Sequence, residues 1–220
     1  AGLLYLGAGL GMLLLYIPSL RRSGREAHVT RKDLPYLTAM VLLDIAAPIL
    51  LLWGLSLSTP ATVSLLNNFE IAATAVIALV IFKEVVGKRL WAAIGLITLS
   101  CIVLSVDDFA SLSFSKGAML ALLACLCWGA ENNCTRQMSL KNPMEIVLIK
   151  GFGSGLGALL IAFVLGEAAW APAAVLLALP LGAVAYGGSV YFYILAQRDL
   201  GAARTGAYYA FAPFIGVFLS

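Results

Sequence analysis

Polar side chains that could bind a solute or carry a proton lie inside long apolar runs of this sequence. Glu70 is close to the middle of the run Ala61–Phe82, with Asn67 three residues before it and Thr74 four residues after it. On a continuous helix these three share one face, with Asn68 beside them. A charge near the centre of a bilayer costs about 2.5–3.5 kcal/mol, so Glu70 needs a partner or water. Glu70, Asn67 and Asn68 are therefore candidate substrate or proton-pathway residues, with hydrogen bonding between helices as the alternative.

A second candidate acid, Asp44, lies at mid-depth in the run Leu34–Leu55. Pro48 follows it by four residues and removes one backbone hydrogen bond, which tends to kink a helix. The backbone at this point could thus be open to water. A proton carrier and a structural aspartate that caps the disturbed backbone are both compatible with this position.

A third polar cluster, Glu131, Asn132 and Asn133, precedes Arg136 at the end of another apolar run. Lys150 lies near the beginning of the next run, which would cross in the opposite direction. Glu131 and Lys150 are therefore expected at similar depth on consecutive helices, close enough to pair. Such a pair is either a structural salt bridge or a cytoplasmic-side gate that breaks and reforms.

Aromatic side chains supply candidate walls for a cavity that accepts organic substrates, namely Trp128, Tyr208 and Tyr209. Packing or anchoring at the membrane interface is the alternative role. Four cysteines and one histidine are too scattered for a disulfide scaffold or a metal site. No cofactor and no catalytic residue is expected.

The elements that hold these side chains must be membrane helices, because the composition excludes a soluble domain. Charged residues make up 11% of the 220 residues, against roughly 25% in soluble proteins. Hydrophobic residues reach 62% and the mean hydropathy is +0.98. A net charge of +3, spread over short basic clusters, excludes nucleic acid as a partner. The expected partners are the lipid bilayer and a small-molecule substrate, with a homodimer left open.

Apolar runs long enough to cross a bilayer recur along the whole chain. A crossing takes roughly 20 apolar helical residues, and continuous runs favour helices over the alternating strands of a barrel. The predicted spans are Ala1–Tyr16, Leu34–Leu55, Ala61–Phe82, Leu90–Val106, Gly117–Thr135, Glu145–Leu165, Ala173–Leu195 and Ala203–Ser220. The first and last are expected to be truncated spans. The fold class is therefore an all-α, polytopic helical bundle with about eight helices present.

Basic residues are concentrated in alternate loops. Loops 17–33, 83–89, 136–144 and 196–204 carry five, three, two and two of the 14 Lys and Arg residues. Lys116 is the sole basic residue of the opposite loops, and Lys150 lies within a span. Because cytoplasmic loops carry the excess of Lys and Arg, the basic loops are expected in the cytoplasm. The expected location is the bacterial plasma membrane.

An eight-residue segment near the N-terminus recurs later in the chain. Gly7–Leu14 matches Gly153–Leu160 at six of eight positions, with a spacing of 146 residues. The spacing covers five predicted spans, and an odd number of crossings inverts the second copy in the membrane. Inverted repeats of this kind are common in secondary transporters.

Three segments resemble the EamA-type transporters of the drug/metabolite transporter superfamily. They are Leu57–Ser105, similar to the first-half signature, Lys116–Trp128, similar to the start of the second half, and Ala202–Pro213, similar to the matching helix there. The motifs within the first segment are Ser64–Glu70, Phe82–Glu84 and Gly95.

The resemblance implies ten helices in two inverted five-helix repeats. Residues 1–110 would form the first repeat and residues 116–220 the second, so that helices one and ten are missing here. The sequence departs from the family pattern at Ile71, where proline often follows the acid, and at Ala212, which replaces an acid before Pro213.

The leading functional hypothesis is a secondary transporter, an exporter or exchanger of small organic metabolites or drugs by alternating access. The sequence has no Walker-type phosphate-binding motif, so ATP is not the direct energy source in this chain. An intramembrane enzyme is not expected, because the spans lack a second aspartate, a histidine pair or a base for a serine nucleophile. The alternative is a non-transporting scaffold or a channel-like protein. Proton coupling through Glu70, Asp44 or Glu131 is a hypothesis based on their depth.

Overall fold

The computed structural model describes residues 1–20, 26–85, 87–108, 113–166 and 171–209. Its helices are α1 (Gly2–Leu20), α2 (Leu34–Ser56), α3 (Pro60–Leu66), α4 (Phe69–Val80), α5 (Lys88–Ser105), α6 (Lys116–Met138), α7 (Pro143–Val164), α8 (Pro172–Leu181), α9 (Gly188–Leu200) and α10 (Ala202–Tyr209). A 3-10 turn, Arg31–Asp33, precedes α2, and a π-helical segment, Gly182–Gly187, joins α8 to α9. A short antiparallel ribbon, β1 (Val106–Asp108) and β2 (Ser113–Phe114), lies between α5 and α6.

Five of the described helical stretches are long and apolar enough to cross a bilayer. They are Gly2–Ser19, Arg31–Ser56, Pro60–Val80, Pro143–Val164 and Pro172–Leu200. Large apolar side chains on these stretches point outward, such as Leu14 and Leu177, each 73% exposed. Such side chains are stable only when lipid is the solvent. The chain is therefore an integral membrane protein, and the predicted polytopic helical bundle is confirmed. Helices α5 and α6 match the predicted spans Leu90–Val106 and Gly117–Thr135 in position.

The predicted span Ala61–Phe82 corresponds to the apolar helical stretch Pro60–Val80, within which a turn interrupts the helix. The structure divides it into α3 and α4, with a turn at Asn67–Asn68. Asparagine competes with the helical backbone through its own hydrogen bonds. Here the Asn68 amide nitrogen donates to the carbonyl of Leu65 at 3.0 Å, and the backbone N–H of Asn68 donates to the same carbonyl. The chain is tightened at this point rather than continuing as an α-helix.

The predicted span Ala173–Leu195 is also interrupted. It consists of α8, the π-helical segment and α9. Pro180 lies inside α8 and lacks the N–H that an α-helix needs. The wider π turn follows directly after it. Of the predicted span Ala203–Ser220, the structure describes α10 up to Tyr209, and residues 210–220 lie outside the described residues.

The chain forms two compact units, and each unit takes segments from both halves of the sequence. Unit 1 comprises residues 1–45 and 134–199, and unit 2 comprises residues 46–133 together with the segment that begins at Leu200.

Unit 1 is organised around the antiparallel contact of α1 with α7. A Cβ atom added to Gly151 would lie 2.6 Å from Cα of Gly9, so the two backbones touch at these glycines. Small residues permit this approach in membrane helices, where packing replaces the hydrophobic effect as the driving force. An apolar cluster lies beside this contact and comprises Met12, Leu37, Met40, Met138, Ile146, Val147 and Ile194.

Unit 2 has a core rich in alanine. On α4, Ala72, Ala75 and Ala78 are buried against Ile94 of α5 and against the first turn of α10. A second cluster comprises Val63, Leu66, Ala118 and Ala121. Because these side chains are small, α4 is held close to its neighbours.

Candidate functional site

A buried polar cluster in unit 1 is centred on the carboxylate of Asp44, which is 1% exposed. Its Oδ1 atom accepts a hydrogen bond from the hydroxyl of Tyr5 at 3.1 Å. Its Oδ2 atom lies 3.3 Å from Nζ of Lys150 and 3.4 Å from Oγ of Ser154. Helices α1, α2 and α7 thus each contribute a side chain to one charged site in an apolar environment.

The π-helical segment supports this cluster through Tyr5. The rings of Tyr5 and Tyr186 meet edge to face, with 4.9 Å between their centroids and 76° between their planes. Tyr186 lies on the π segment that follows Pro180. Segments of this kind are frequent at functional sites because they redirect side chains away from the regular helical positions. Here the interruption places an aromatic ring against the side chain that donates to Asp44.

The Asp44–Lys150 pair brings opposite charges together in this cluster. A paired acid and base are tolerated in the membrane, whereas either one alone would be costly. The structure places Lys150 beside Asp44 within unit 1. The sequence also predicted a pairing of Lys150 with Glu131. Glu131 belongs to unit 2 and is 2% exposed. Its pairing with Lys150 stays a prediction.

A second polar cluster, in unit 2, connects α6 to α4. The amide nitrogen of Asn132 donates to Oε1 of Glu70 at 2.9 Å and to Oγ1 of Thr74 at 3.3 Å. The neighbouring Asn133 amide donates to the carbonyls of Thr74 at 3.0 Å and Gly129 at 2.8 Å. Glu70 is in the first turn of α4, where the helix dipole favours a negative charge. Glu70 and Asn132, both predicted from sequence, are therefore in contact.

The helix break at Asn67–Asn68 is part of the same region. The thiol of Cys125 points to the carbonyls of Leu66 and Asn67 at 3.5 Å and 3.6 Å, and to Oδ1 of Asn67 at 3.8 Å. These carbonyls are at the end of α3, and that of Asn67 also accepts the backbone N–H of Glu70 at 3.2 Å. The side chain of Asn67 is half-buried, and that of Asn68 is exposed. An interrupted membrane helix thus presents carbonyl oxygens, an amide and a carboxylate within a few residues.

The three predicted aromatic residues are less enclosed. Trp128 is half-buried on α6, while Tyr208 and Tyr209, at the end of α10, are 68% and 54% exposed. Their role as cavity walls stays a prediction. Among the described residues, no group of three or more His, Cys, Asp or Glu side chains is arranged to hold a metal ion.

Comparison with known proteins identifies the family. The family model described as the EamA-like transporter family matches residues 2–106 and 115–220. The chain belongs to this family. The resemblance seen in the sequence is therefore confirmed.

A curated relative supports the same assignment. The chain is 27% identical over 205 residues to an "Uncharacterized transporter" of Methanothermobacter thermautotrophicus (strain ATCC 29096 / DSM 1053 / JCM 10044 / NBRC 100330 / Delta H). The alignment covers 89% of this chain and 59% of the relative. The EamA-like chain thus spans about three-fifths of the length of the curated relative that it matches.

Sequence reasoning missed several side chains that this EamA-like chain uses to build its polar clusters. Ser154 could have been recognised from the sequence, because it is one of the two positions at which the repeated segments differ. Its counterpart in the first segment is the apolar Ala8. No feature of the sequence distinguishes Tyr5 and Cys125, since both lie in apolar runs where aromatic or small packing residues are common.

Glu84 has a structural contact that its motif alone did not reveal. Its carboxylate accepts the backbone N–H groups of Ala202 at 3.1 Å and of Ala203 at 3.2 Å, and so closes the N-terminus of α10. The signal was Gly201, which directly precedes these donors and adopts a positive φ of 84°.

Proposed function

We propose that this protein is a secondary transporter that moves a small organic solute across the membrane by alternating access. The observation that carries the proposal is the interrupted span Pro60–Val80, in which a helix break adjoins the contact of Glu70 with Asn132. Transporters build substrate sites from such discontinuous helices, because the freed backbone groups and helix ends bind polar parts of a solute. Membership of a transporter family supports transport, and the polar cluster supports Glu70, Asn67, Asn68 and Asn132 as residues of the pathway.

The contact between α1 and α7 supports the inverted repeat on which alternating access depends. Gly2 packs on Leu159, Leu6 on Gly155 and Gly9 on Gly151, so each step along α1 is matched by an equal step backwards along α7. Gly7 of α1 and Gly153 of α7 are counterparts at the repeat spacing of 146 residues, and they pack on different neighbours, Gly7 on Gly182 and Gly153 on Val41. Two copies of one motif on helices that pack antiparallel are compatible with an inverted duplication.

The Asp44–Lys150 pair gives the transporter a means of responding to protonation. A proton that arrives on Asp44 neutralises the carboxylate that lies 3.3 Å from Nζ of Lys150 and so weakens this buried ion pair. The membrane interior penalises that state, which favours a rearrangement that hydrates Lys150. Asp44, together with Glu70 and Glu131, is accordingly the proposed proton path. Flux would be driven by an ion or solute gradient, as an export or an exchange, with the basic loops in the cytoplasm.

A transport screen of the full-length protein in proteoliposomes tests the proposal. Labelled amino acids, nucleosides and cationic drugs are offered with and without a pH gradient. A transporter gives saturable flux and accelerated exchange when unlabelled solute is present on the opposite side. Flux that does not saturate would indicate a channel, and absence of flux for a correctly reconstituted protein would indicate a scaffold.

Two variants on α6 test whether the described cluster serves the pathway. Asn132→Ala removes the amide that bonds Glu70 and is expected to lower flux at least tenfold, since a charge-assisted hydrogen bond is worth about 1.5–3 kcal/mol. Gln137→Ala, an exposed amide on the same helix, is the matched control and should leave flux unchanged. Equal flux in both variants would remove Asn132 from the pathway.

Proton coupling has its own test in the same vesicles. Glu70→Gln keeps the size and hydrogen-bonding capacity of the side chain but cannot exchange a proton. If Glu70 carries the coupling, solute flux in this variant no longer responds to the pH gradient, while exchange of solute for solute persists. If flux through the parent protein does not depend on the pH gradient, proton coupling is excluded, but the proposal that the protein is a transporter is not contradicted.

A further inference from the structure

The first half of α2 has two faces of different character. Leu37, Met40 and Asp44 point into unit 1 and are buried. The opposite face is exposed and forms a shallow groove with a volume of about 570 Å³. The groove is lined by Arg31, Leu34, Pro35, Thr38, Ala39 and Leu42. Leu34 and Leu42 are 58% and 60% exposed, so apolar surface is open along the groove.

Two basic side chains at the end of this groove where α2 begins have no acidic partner among the described residues of unit 1. The two acids of the segment 26–33 are already paired with cations from elsewhere in the chain: Glu26 with Arg198 at 3.0 Å, and Asp33 with Lys141 at 3.3 Å. Arg31 and Lys32 are both exposed. Within the described residues, neither of their side chains forms a hydrogen bond or an ion pair.

The length of the groove corresponds to one leaflet of a bilayer. Leu34 and Leu42 are eight residues apart on α2, which is about 12 Å along a helix. Half of the hydrocarbon core of a bilayer is about 15 Å. Arg31 is at the end of the groove where α2 begins, so the cationic end is at the level expected for lipid headgroups.

We propose that this groove binds an anionic phospholipid. The phosphate contacts the guanidinium of Arg31, which can form two parallel hydrogen bonds to its oxygens, while Lys32 adds a second positive charge. One acyl chain lies along Leu34, Thr38 and Leu42 and covers apolar surface that the described residues of this chain leave open. The site is independent of the polar clusters described above and of whether the protein transports a solute.

Photolabelling of the full-length protein in lipid nanodiscs tests this site. The probes are phosphatidylglycerol and phosphatidylcholine that carry the same photoreactive acyl chain, and labelled peptides are located by mass spectrometry. We expect the anionic probe to label the peptide that contains Leu34–Leu42 at least fivefold more than the zwitterionic probe. Each basic residue near a membrane surface contributes about a fivefold preference for anionic lipid. The double variant Arg31→Gln/Lys32→Gln should therefore abolish the difference.

Matched variants separate a built site from general attraction. Lys88→Gln/Arg89→Gln removes an exposed basic pair at the start of α5 and should leave labelling of α2 unchanged. Thr38→Trp fills the groove without altering charge and should reduce labelling of α2 by both probes. Equal labelling by the two lipids, or equal effects of the two double variants, would overturn the proposal. Cross-links from α2 to a second protein chain in place of lipid would overturn it as well. An unchanged thermal unfolding midpoint confirms that each variant is folded.

Discussion

Nζ of Lys150 lies 3.3 Å from Oδ2 of Asp44, and both side chains are more than nine-tenths buried within unit 1. The lysine is on α7 and the aspartate on α2, so the pair connects two membrane helices. Tyr5 and Ser154 also donate to the carboxylate. The stability of unit 1 therefore depends on both charges being present together.

Removal of one partner of this pair is expected to destabilise the protein more than removal of both. Lys150→Met removes the ammonium that faces Asp44, and loss of one member of a buried ion pair costs about 3–5 kcal/mol, whereas Asp44→Asn/Lys150→Met removes both charges of the pair. Unfolding free energies measured by SDS titration in mixed micelles should show recovery of at least half of the loss in the double variant. Ser154→Ala is the control and should cost about 1 kcal/mol, because it removes one neutral donor. Equal losses in the single and double variants would contradict the pairing.

The contact of α1 with α7 predicts a sharp difference between two glycines. Alanine at Gly151 would place a Cβ atom 2.6 Å from Cα of Gly9 and 2.9 Å from the carbonyl oxygen of Tyr5, and backbone atoms cannot move aside without separating the helices. We expect Gly151→Ala to lower the unfolding free energy by about 2 kcal/mol or more. Gly95→Ala on α5 is the matched control, because a Cβ atom there meets no atom within 4 Å. It should be neutral or stabilising by up to about 1 kcal/mol, since alanine favours the helix. The same loss at both positions would contradict close packing of α1 on α7.

The positions of the membrane spans could be predicted because they depend on composition over about 20 residues. The interruptions could not be predicted in the same way. Asn67 was interpreted as sharing one helix face with Glu70 and Thr74, whereas hydrogen bonding of Asn68 to the carbonyl of Leu65 ends α3 before Glu70. Competition of this kind is decided by local geometry and leaves no trace in hydropathy.

The partners of the charged residues could not be predicted from the sequence either. Depth along a span can be estimated from residue number, and both Asp44 and Glu131 fall at a depth that Lys150 can reach. Depth does not determine which helices are neighbours, so the contact of Asp44 on α2 with Lys150 on α7 emerged only from the structure, while the pairing of Glu131 with Lys150 stays a prediction. Glu70 and Asn132 were identified separately, and their contact at 2.9 Å emerged only from the packing of α4 against α6.

The capping contact between Glu84 and the N-terminus of α10 predicts that substitutions at Glu84 and Gly201 have non-additive effects on stability. Glu84→Ala removes the acceptor for Ala202 and Ala203 and should cost about 1–2 kcal/mol, as loss of a helix cap does. Gly201→Ala should cost about 2–3 kcal/mol, because alanine is strained at a φ of 84° and its Cβ atom would lie 2.7 Å from Cδ of Glu84.

The double variant separates the two causes of strain at Gly201, namely its positive φ and the steric conflict with the Glu84 carboxylate. In Glu84→Ala/Gly201→Ala the steric conflict with the carboxylate is gone, so the total loss should be about 1 kcal/mol smaller than the sum of the single losses. Gly87→Ala is the control, because a Cβ atom at Gly87 meets nothing within 4 Å, and it should change stability by no more than about 0.5 kcal/mol. Strictly additive losses would show that Glu84 and Gly201 do not interact.

Arg198 on α9 is expected to tolerate no replacement by lysine. Its Nε and Nη2 atoms donate to the carbonyls of Ser139 at 2.7 Å and Lys141 at 2.9 Å, just beyond the end of α6, and its guanidinium also bonds both carboxylate oxygens of Glu26. A lysine ammonium is a point charge and cannot span these acceptors at once. Arg198→Lys should therefore lower the unfolding free energy by about 2 kcal/mol, since hydrogen bonds from a charged group are lost.

Two further variants establish that geometry rather than charge accounts for the effect at Arg198. Arg204→Lys, at an exposed position on α10, keeps the charge and should change stability by at most about 0.5 kcal/mol. Glu26→Gln keeps an acceptor for the guanidinium and should cost less than about 1 kcal/mol, because this ion pair is partly exposed. If Arg198→Lys were as mild as Arg204→Lys in the same SDS titration, the carbonyls beyond α6 would not depend on the guanidinium. We therefore expect a large loss of stability at Arg198 and not at Arg204, because the planar guanidinium of Arg198 bonds two carbonyls and a carboxylate at once.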